Sequence, residues 1–494
     1  MPNPAIAREK LNIFSFSGNI RILHLTWFAF FLTFFIWFSH APLMVAIRET
    51  FGLSEQEVKA LLILNVALTI PARIVVGMLV DRLGPRIMFS GILILGGVLS
   101  IGFAMVDNYQ QLALMRFLLG FVGAGFVVGI RMISEWFPAR QAGVAQGIYG
   151  GWGNFGSAGS ALLLPTLALM FGGENGWRYA IAISGIIALI YGFVYYFSVR
   201  NTPKGSTYFK PKKMGGMEVT SKFDFFLYLV MSIPMYAALA VLAWKLSPAG
   251  LNWYSADVTY FIYTGLALTY LYQAFRIYQI NRDVFTRETP DIFRYKFSQV
   301  AVLDLAYMVT FGSELALVSM LPLFYKDNFD VSVVLAGALA AIYPIMNLFA
   351  RPAGGMISDR IGRKKTLVIL FTGITLSFII LGQVDAGWAL WLVVATTIVC
   401  GLFAKAGSGA VFAMVPLIQR RMTGQIAGMA GAYGNVGGVV FLTVLSFVSS
   451  QTFFLFIGLC GLAVLVFIIL FMREPRGQMA EVQPDGTVQM IDVS

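Results

Sequence analysis

Apolar residues run through this chain in long blocks rather than in short alternating stripes. About fourteen blocks are long enough to cross roughly 30 Å of hydrocarbon, near residues 23–47, 58–80, 87–106, 112–133, 143–171, 177–199, 225–245, 258–278, 300–324, 333–356, 366–384, 388–418, 424–447 and 452–472. Blocks of this length predict membrane-spanning helices, which satisfy their own backbone inside lipid; barrel strands would show as shorter alternating segments. The blocks fall into six spans, a basic central stretch and six more spans. Within the centre, 225–245 and 258–278 are joined by a turn around Pro248 and Asn252 and read as an inserted helical hairpin. Adding two spans leaves the second half in its original orientation. The expected layout is a cytoplasmic N-terminus (1–22), a six-helix half (23–200), a basic central region with the hairpin (201–298), a second six-helix half (299–473) and a loose, polar, acidic tail (474–494).

Composition strengthens the membrane reading. Only 12% of the 494 residues are charged and 58% are hydrophobic, whereas soluble domains average about 25% charged. The net charge of +11 at first suggests nucleic acid, but its placement argues against that partner. With the N-terminus in the cytoplasm, roughly 25 of the 35 Lys and Arg fall in cytoplasmic segments, a positive-inside bias. Lys204, Lys210, Lys212, Lys213, Lys222, Arg276, Arg282, Arg287, Arg294 and Lys296 flank the hairpin; they orient the chain and offer a lesser contact for anionic membrane lipid. Both termini are therefore placed on the cytoplasmic side of a plasma or inner membrane. Cys400 and Cys460 lie inside apolar blocks, with neither disulfide nor metal spacing.

Two charged positions stand out against this apolar background. Arg73 lies eight residues before Asp81-Arg82-Leu-Gly84, and Arg351 eight before Asp359-Arg360-Ile-Gly362. The separation is 278 residues. A second pair of segments, Gly143 to Gly156 and Gly424 to Gly437, aligns Asn154 with Asn435 at an offset of 281. Two motifs at nearly one offset indicate parallel repeats. If the Asp-Arg turns end their helices, a rise of about 1.5 Å per residue puts both arginines roughly 12 Å into the membrane, and both asparagines about 16 Å. All four then share one layer near the midplane. A cation at such depth costs roughly 2.5–3.5 kcal/mol on insertion scales, so two of them mark a paired site for an anion.

Gly77 to Arg86 and Gly355 to Lys365 resemble the loop motif of the major facilitator superfamily, and Arg116 with Gly120, Gly123 and Gly125 resembles its fourth-helix signature. The resemblance implies an all-α fold of two parallel-repeat six-helix halves, here with the hairpin inserted. Asp81, Arg82, Asp359 and Arg360 would then serve gating or simply hold sharp turns. Arg116 would assist proton movement or pair near a helix end, and Arg131 with Glu135 would form a local pair. The two glycine-rich segments are similar to the nitrate signature of the nitrate/nitrite porter family. The similarity extends through Arg73, Arg351, Phe126 and the run Tyr307-Met-Val-Thr-Phe311-Gly-Ser-Glu314. It implies an anion clamped by Arg73 and Arg351, with Phe126, Tyr307 and Phe311 against its faces and Asn154 and Asn435 as nearby donors. Gly153, Gly156, Gly434 and Gly437 would let helices pack closely and slide.

Chemistry supports such a clamp independently of the resemblance. Nitrate is planar and singly charged with three acceptor oxygens, which two guanidinium forks match. Asp304, Tyr307, Phe311 and Glu314 are spaced 3, 4 and 3 and line one stripe of the seventh helix. Glu314 lies deep in its span and is the candidate proton carrier, alternating between a protonated state and a pairing with a cation such as Arg351; a static ion pair is the structural alternative. Proton-coupled import of nitrate, with nitrite as a further substrate, is therefore the expected function, in a protein acting as a monomer. Proton-independent nitrate/nitrite exchange and a non-transporting anion receptor are the competing readings. Nothing in the sequence suggests an enzyme, a cofactor or a metal site.

Overall fold

The computed structural model describes residues 13–137, 139–205, 208, 216–286, 294–385, 387–419, 422–474, 478–482 and 488–492. The first twelve residues, Lys210, Lys212, Lys213 and Arg287, and the Asp81 side chain lie outside the described residues.

Several predicted spans are built as broken pairs. In the first half these are α1 (Gly18–Trp37) with α2 (His40–Phe51), α3 (Glu55–Ala67) with α4 (Thr69–Leu83), and α8 (Ala139–Asn154) with α9 (Gly156–Phe171). α5 (Pro85–Ala104) and α10 (Gly176–Ser198) are continuous, whereas α6 (Tyr109–Leu119) and α7 (Gly125–Trp136) are linked by a 3-10 turn at Gly120–Ala124. The hairpin is α11 (Lys222–Leu246) and α12 (Ala256–Asn281). The second half contains α13 (Phe297–Phe329), α14 (Val333–Ile345), α15 (Ala350–Ile361), α16 (Arg363–Leu381), α17 (Leu390–Ile418), α18 (Thr423–Leu445) and α19 (Ser450–Phe471). Serine side chains cap α3, α11, α12, α14 and α19 by accepting from the backbone of the first turn, and Ser54 with Glu57 completes a reciprocal capping box.

Among the described residues, 13 helices or helix pairs are long and apolar enough to cross a membrane, rather than the fourteen expected. The helix left out is α12. At 26 residues it reaches about 39 Å, but Tyr260, Tyr263, Tyr270, Tyr272 and Tyr278, with Gln273 and Arg276, lower its hydropathy. It packs on α11, which in turn lies against α3, α13 and α18. The tail also differs from expectation. Gln478–Val482 (β1) and Val488–Asp492 (β2) pair as an antiparallel ribbon, with Gln478 opposite Asp492.

The two halves meet where α18 packs on α3 and α4, α15 on α8, α14 on α9 and α13 on α2. Close approach depends on glycine at a few points. A Cβ on Gly312 would lie 2.7 Å from the Gly437 backbone, so α13 and α18 touch main chain to main chain. Gly84 and Gly362, at the repeated turns, have φ +89° and +104°, which side-chain-bearing residues rarely adopt. Each turn leads into a helix capped from a later segment. Asn201 Oδ1 accepts from Arg86 N at 2.9 Å, and the Glu474 carboxylate accepts from Arg363 N and Lys364 N at 2.6 and 2.8 Å.

Candidate functional site

Both arginines follow a break in their span. The α3/α4 boundary precedes Arg73, and a 3-10 turn at Met346–Leu348 precedes Arg351. Neither reaches solvent: Arg73 is 0% and Arg351 3% exposed. Their guanidinium carbons lie 5.2 and 5.7 Å from the centre of the same Phe126 ring, so the two cations are within roughly 11 Å of each other. At that separation, with an effective dielectric of about 20, like charges repel by about 1.5 kcal/mol. An anion between them would add two attractions that together outweigh that repulsion.

Each guanidinium is partly held and partly free. Arg73 donates from Nη1 to Gly431 O at 2.6 Å and from Nε to Gly123 O at 3.3 Å, leaving Nη2 buried without a partner. Arg351 donates from Nη2 to the Tyr307 hydroxyl at 2.9 Å, leaving Nη1 buried without a partner. Each arginine also faces a glycine of the opposite half. A Cβ on Gly431 would lie 3.2 Å from Arg73 Nη1, and one on Gly150 would lie 3.4 Å from Arg351 Nε. Gly150 and Gly431 occupy corresponding places in the two glycine-rich segments, at the same 281-residue offset that relates Asn154 to Asn435.

Aromatic rings close the site. Phe311 lies 5.3 Å from the Arg73 guanidinium and stacks on Tyr307 at 5.0 Å and 5°. Phe412 of α17, missed in the sequence, meets Tyr307 and Phe126 edge-on at 4.8 and 5.4 Å and lies 5.9 Å from Arg351. It was one aromatic among many. Asn154 ends α8 fully buried, with neither side-chain atom bonded; Asn435 donates to Gly431 O at 2.9 Å, leaving its own oxygen free.

The glycines of the signature are contact points. A Cβ on Gly153 would enter the Phe30 ring, and one on Gly156 the Phe31 carbonyl. On Gly434 it would lie 2.7–2.8 Å from Phe311 and Tyr307. At the repeated turns, Asp359 pairs locally with Arg363, while Arg82 and Arg360 are exposed. Arg131 and Glu135 form the expected local pair at 2.8 Å.

The acid departs from expectation. Glu314 pairs with Lys405 of α17, Nζ to Oε2 at 2.9 Å, and not with Arg351, which donates from Nη2 to Tyr307 and keeps Nη1 unpartnered. Asn347, in the turn before Arg351, donates to Glu314 Oε1 at 2.6 Å. Lys405 was missed, although it is the only charged residue in α17. Asp304, one stripe position away from Tyr307, is fully buried with neither oxygen bonded.

The Major Facilitator Superfamily model matches residues 26–280 and 303–488. The chain is 45% identical over 475 residues to the nitrate/nitrite transporter NrtP of Nostoc punctiforme, covering 95% of each protein. It is 43% identical to NrtP of a Picosynechococcus strain, covering 97% of each, and 25% identical to a probable nitrate/nitrite antiporter, NarK1, of Thermus thermophilus, over 92% of this chain and 89% of that one. Among solved structures, a D-xylose-proton symporter superposes with a TM-score of 0.62 at 15% identity, over 94% of this chain and all of the other, which shows the shared fold.

Proposed function

This chain belongs to the nitrate/nitrite porter family of the major facilitator superfamily, and from that footing we propose that it carries nitrate and nitrite across the membrane by alternating access, with Arg73 and Arg351 clamping the anion. The observation that carries this reading is the pair of buried guanidiniums, each keeping one unpartnered Nη beside a shared aromatic wall. An anion there would accept from both free donors, with Asn154 Nδ2 as a further donor. Phe126, Tyr307, Phe311 and Phe412 exclude water, which strengthens every charge-assisted hydrogen bond. Gly150 and Gly431 let each arginine reach the opposite half, so an anion held by both ties the halves together.

Glu314 supplies the coupling in this proposal. Arg73, Arg351, Lys405 and ionised Glu314 together carry two net positive charges. Protonating Glu314 makes three and raises the attraction for an anion; binding the anion returns the total to two. By linkage, the anion then favours the proton as much as the proton favours the anion. Lys405 holds the ionised carboxylate in the absence of substrate. One proton per nitrate cancels the membrane-potential penalty of about 2.3 kcal/mol per 100 mV, leaving the pH gradient to drive accumulation. Proton-independent exchange is the second reading; it is favoured by the ready-made Glu314–Lys405 pair, which can remain static.

Nitrate flux into proteoliposomes, with pH gradient and potential imposed separately, tests both parts. Wild-type uptake should follow the pH gradient. Arg73→Lys and Arg351→Lys keep the charge but lose the planar fork, so each should lower uptake by about 100-fold or more. Near-normal uptake by either variant excludes the clamp, and exchange indifferent to the pH gradient favours antiport.

A further inference from the structure

A third buried arginine lies outside the clamp and has no acidic partner among the described residues. Arg116, on α6, is fully buried. Its Nη2 donates to Trp37 O at 2.9 Å and to Asn65 Oδ1, while Nε and Nη1 make no hydrogen bond. Asn65, on α3, is likewise buried; its oxygen is taken by Arg116 and its Nδ2 is unpartnered. His40, at the start of α2, is buried three residues beyond Trp37, its ring 6.5 Å from that of Phe38. Phe103 covers the guanidinium at 5.3 Å.

Two side chains from two helices thus leave unsatisfied N–H groups side by side in the buried interior, around a permanent positive charge. Buried donors left without acceptors destabilise the folded chain, and a buried uncompensated charge does so more strongly. Whatever completes the cluster must bring acceptor lone pairs. Water would satisfy the donors but leave the charge. A dianion would leave excess negative charge in the same apolar surroundings. We propose that Arg116 and Asn65 form a second anion site, separate from the clamp, that takes one small monovalent inorganic anion such as chloride, nitrate or nitrite.

The site has its own level in the bundle. Arg116 is seven residues from the start of α6, roughly 10 Å from that end, whereas Arg73 lies beyond the α3/α4 break, eight residues along the chain from Asn65. The two are joined mechanically through Trp37, which donates to Asn65 O at 2.7 Å. A Cβ on Gly123 would lie 2.7 Å from the Trp37 indole, and Gly123 O accepts from Arg73 Nε. An anion at Arg116 therefore fixes the wall on which Arg73 rests.

Bromide, as a chloride substitute with a strong anomalous signal, tests the site directly in crystals of the wild-type protein. A bromide peak between Arg116 Nε or Nη1 and Asn65 Nδ2, in addition to any peak at the clamp, is expected; water alone at that position overturns the proposal. In solution, the Arg73→Ala/Arg351→Ala protein should still show a saturable rise in Tm with chloride over gluconate. Arg116→Gln in that background should abolish the rise. Should that variant not fold, Asn65→Leu, which keeps the charge, should weaken half-saturation about tenfold. A chloride response unchanged by either substitution, or absent from the clamp-free protein, also overturns the proposal.

Discussion

The two halves repeat their arginine but surround it differently. Arg73 is held by backbone carbonyls, one of them Gly431 O from the opposite half; Arg351 is held by a side chain of its own half, the Tyr307 hydroxyl. The second half also buries a carboxylate with a lysine, Glu314 and Lys405, whereas the first buries Arg116 without an acidic partner among the described residues. A duplicated chain can therefore share its substrate symmetrically while dividing other tasks. In the proposed clamp the anion meets two forks, while among the described residues the buried carboxylate–lysine pair belongs to one side only. The glycines point to the same division, since Gly150 and Gly431 are matched in place but differ in how closely they press on the arginine opposite.

The largest effect should come from breaking the charge pair that only the second half has. Lys405→Met leaves Glu314 buried beside Asn347 without its cation, which should lower stability by about 3–5 kcal/mol, read as a fall in Tm. Glu314→Gln added to Lys405→Met should recover most of that loss; failure to recover would show that Lys405 acts through packing. Next is the backbone contact between α13 and α18. Gly437→Ala should destabilise by about 1–3 kcal/mol, whereas Gly428→Ala, where a Cβ meets nothing within 4 Å, should be neutral or stabilising. Equal effects would mean that the close approach is not needed.

Smaller effects separate the two arginines. Gly431→Ala should raise the nitrate KM more than Gly150→Ala, because its Cβ comes closer to the guanidinium opposite, 3.2 against 3.4 Å. The reverse order in uptake assays would contradict the arrangement. Tyr307→Phe removes one charge-assisted hydrogen bond from Arg351 and should cost about 1.5–3 kcal/mol at most in anion binding. An unchanged KM would show that Arg351 takes another partner when the anion is bound.

Much of this was readable from residues alone where a repeat doubled the signal. Arg73, Arg351, Asn154 and Asn435 each had a mate at a fixed offset; the structure brings the two arginines to the Phe126 ring and Asn435 to the Gly431 carbonyl beside Arg73, whereas Asn154 meets no polar partner. Lys405 has no such mate; it sits among Ala404, Ala406 and Gly407, where a single cation is hidden by a glycine-rich run. Phe412 was hidden for the opposite reason, as one of 43 phenylalanines. Glu314 was expected to meet a cation such as Arg351 and meets Lys405 instead, because spacing along one helix says nothing of what a neighbouring helix presents. The span breaks near Leu68, Phe155 and Met346 do carry local punctuation, Pro71, Gly153 with Gly156, and Pro344, but these are few among 18 prolines and 50 glycines, most of which lie in unbroken helix. The tail ribbon did carry a local signal, Pro484-Asp485-Gly486 between two short alternating runs, which the overall polarity of the segment obscured.

The central claim is that both halves hold the anion while one couples it to a proton. Glu314→Gln in proteoliposomes tests this most directly, with nitrate counterflow at equal pH and pH-gradient-driven nitrate accumulation measured on the same preparation. Retained counterflow with loss of accumulation is the predicted result; accumulation that still follows the pH gradient at the wild-type level would contradict it.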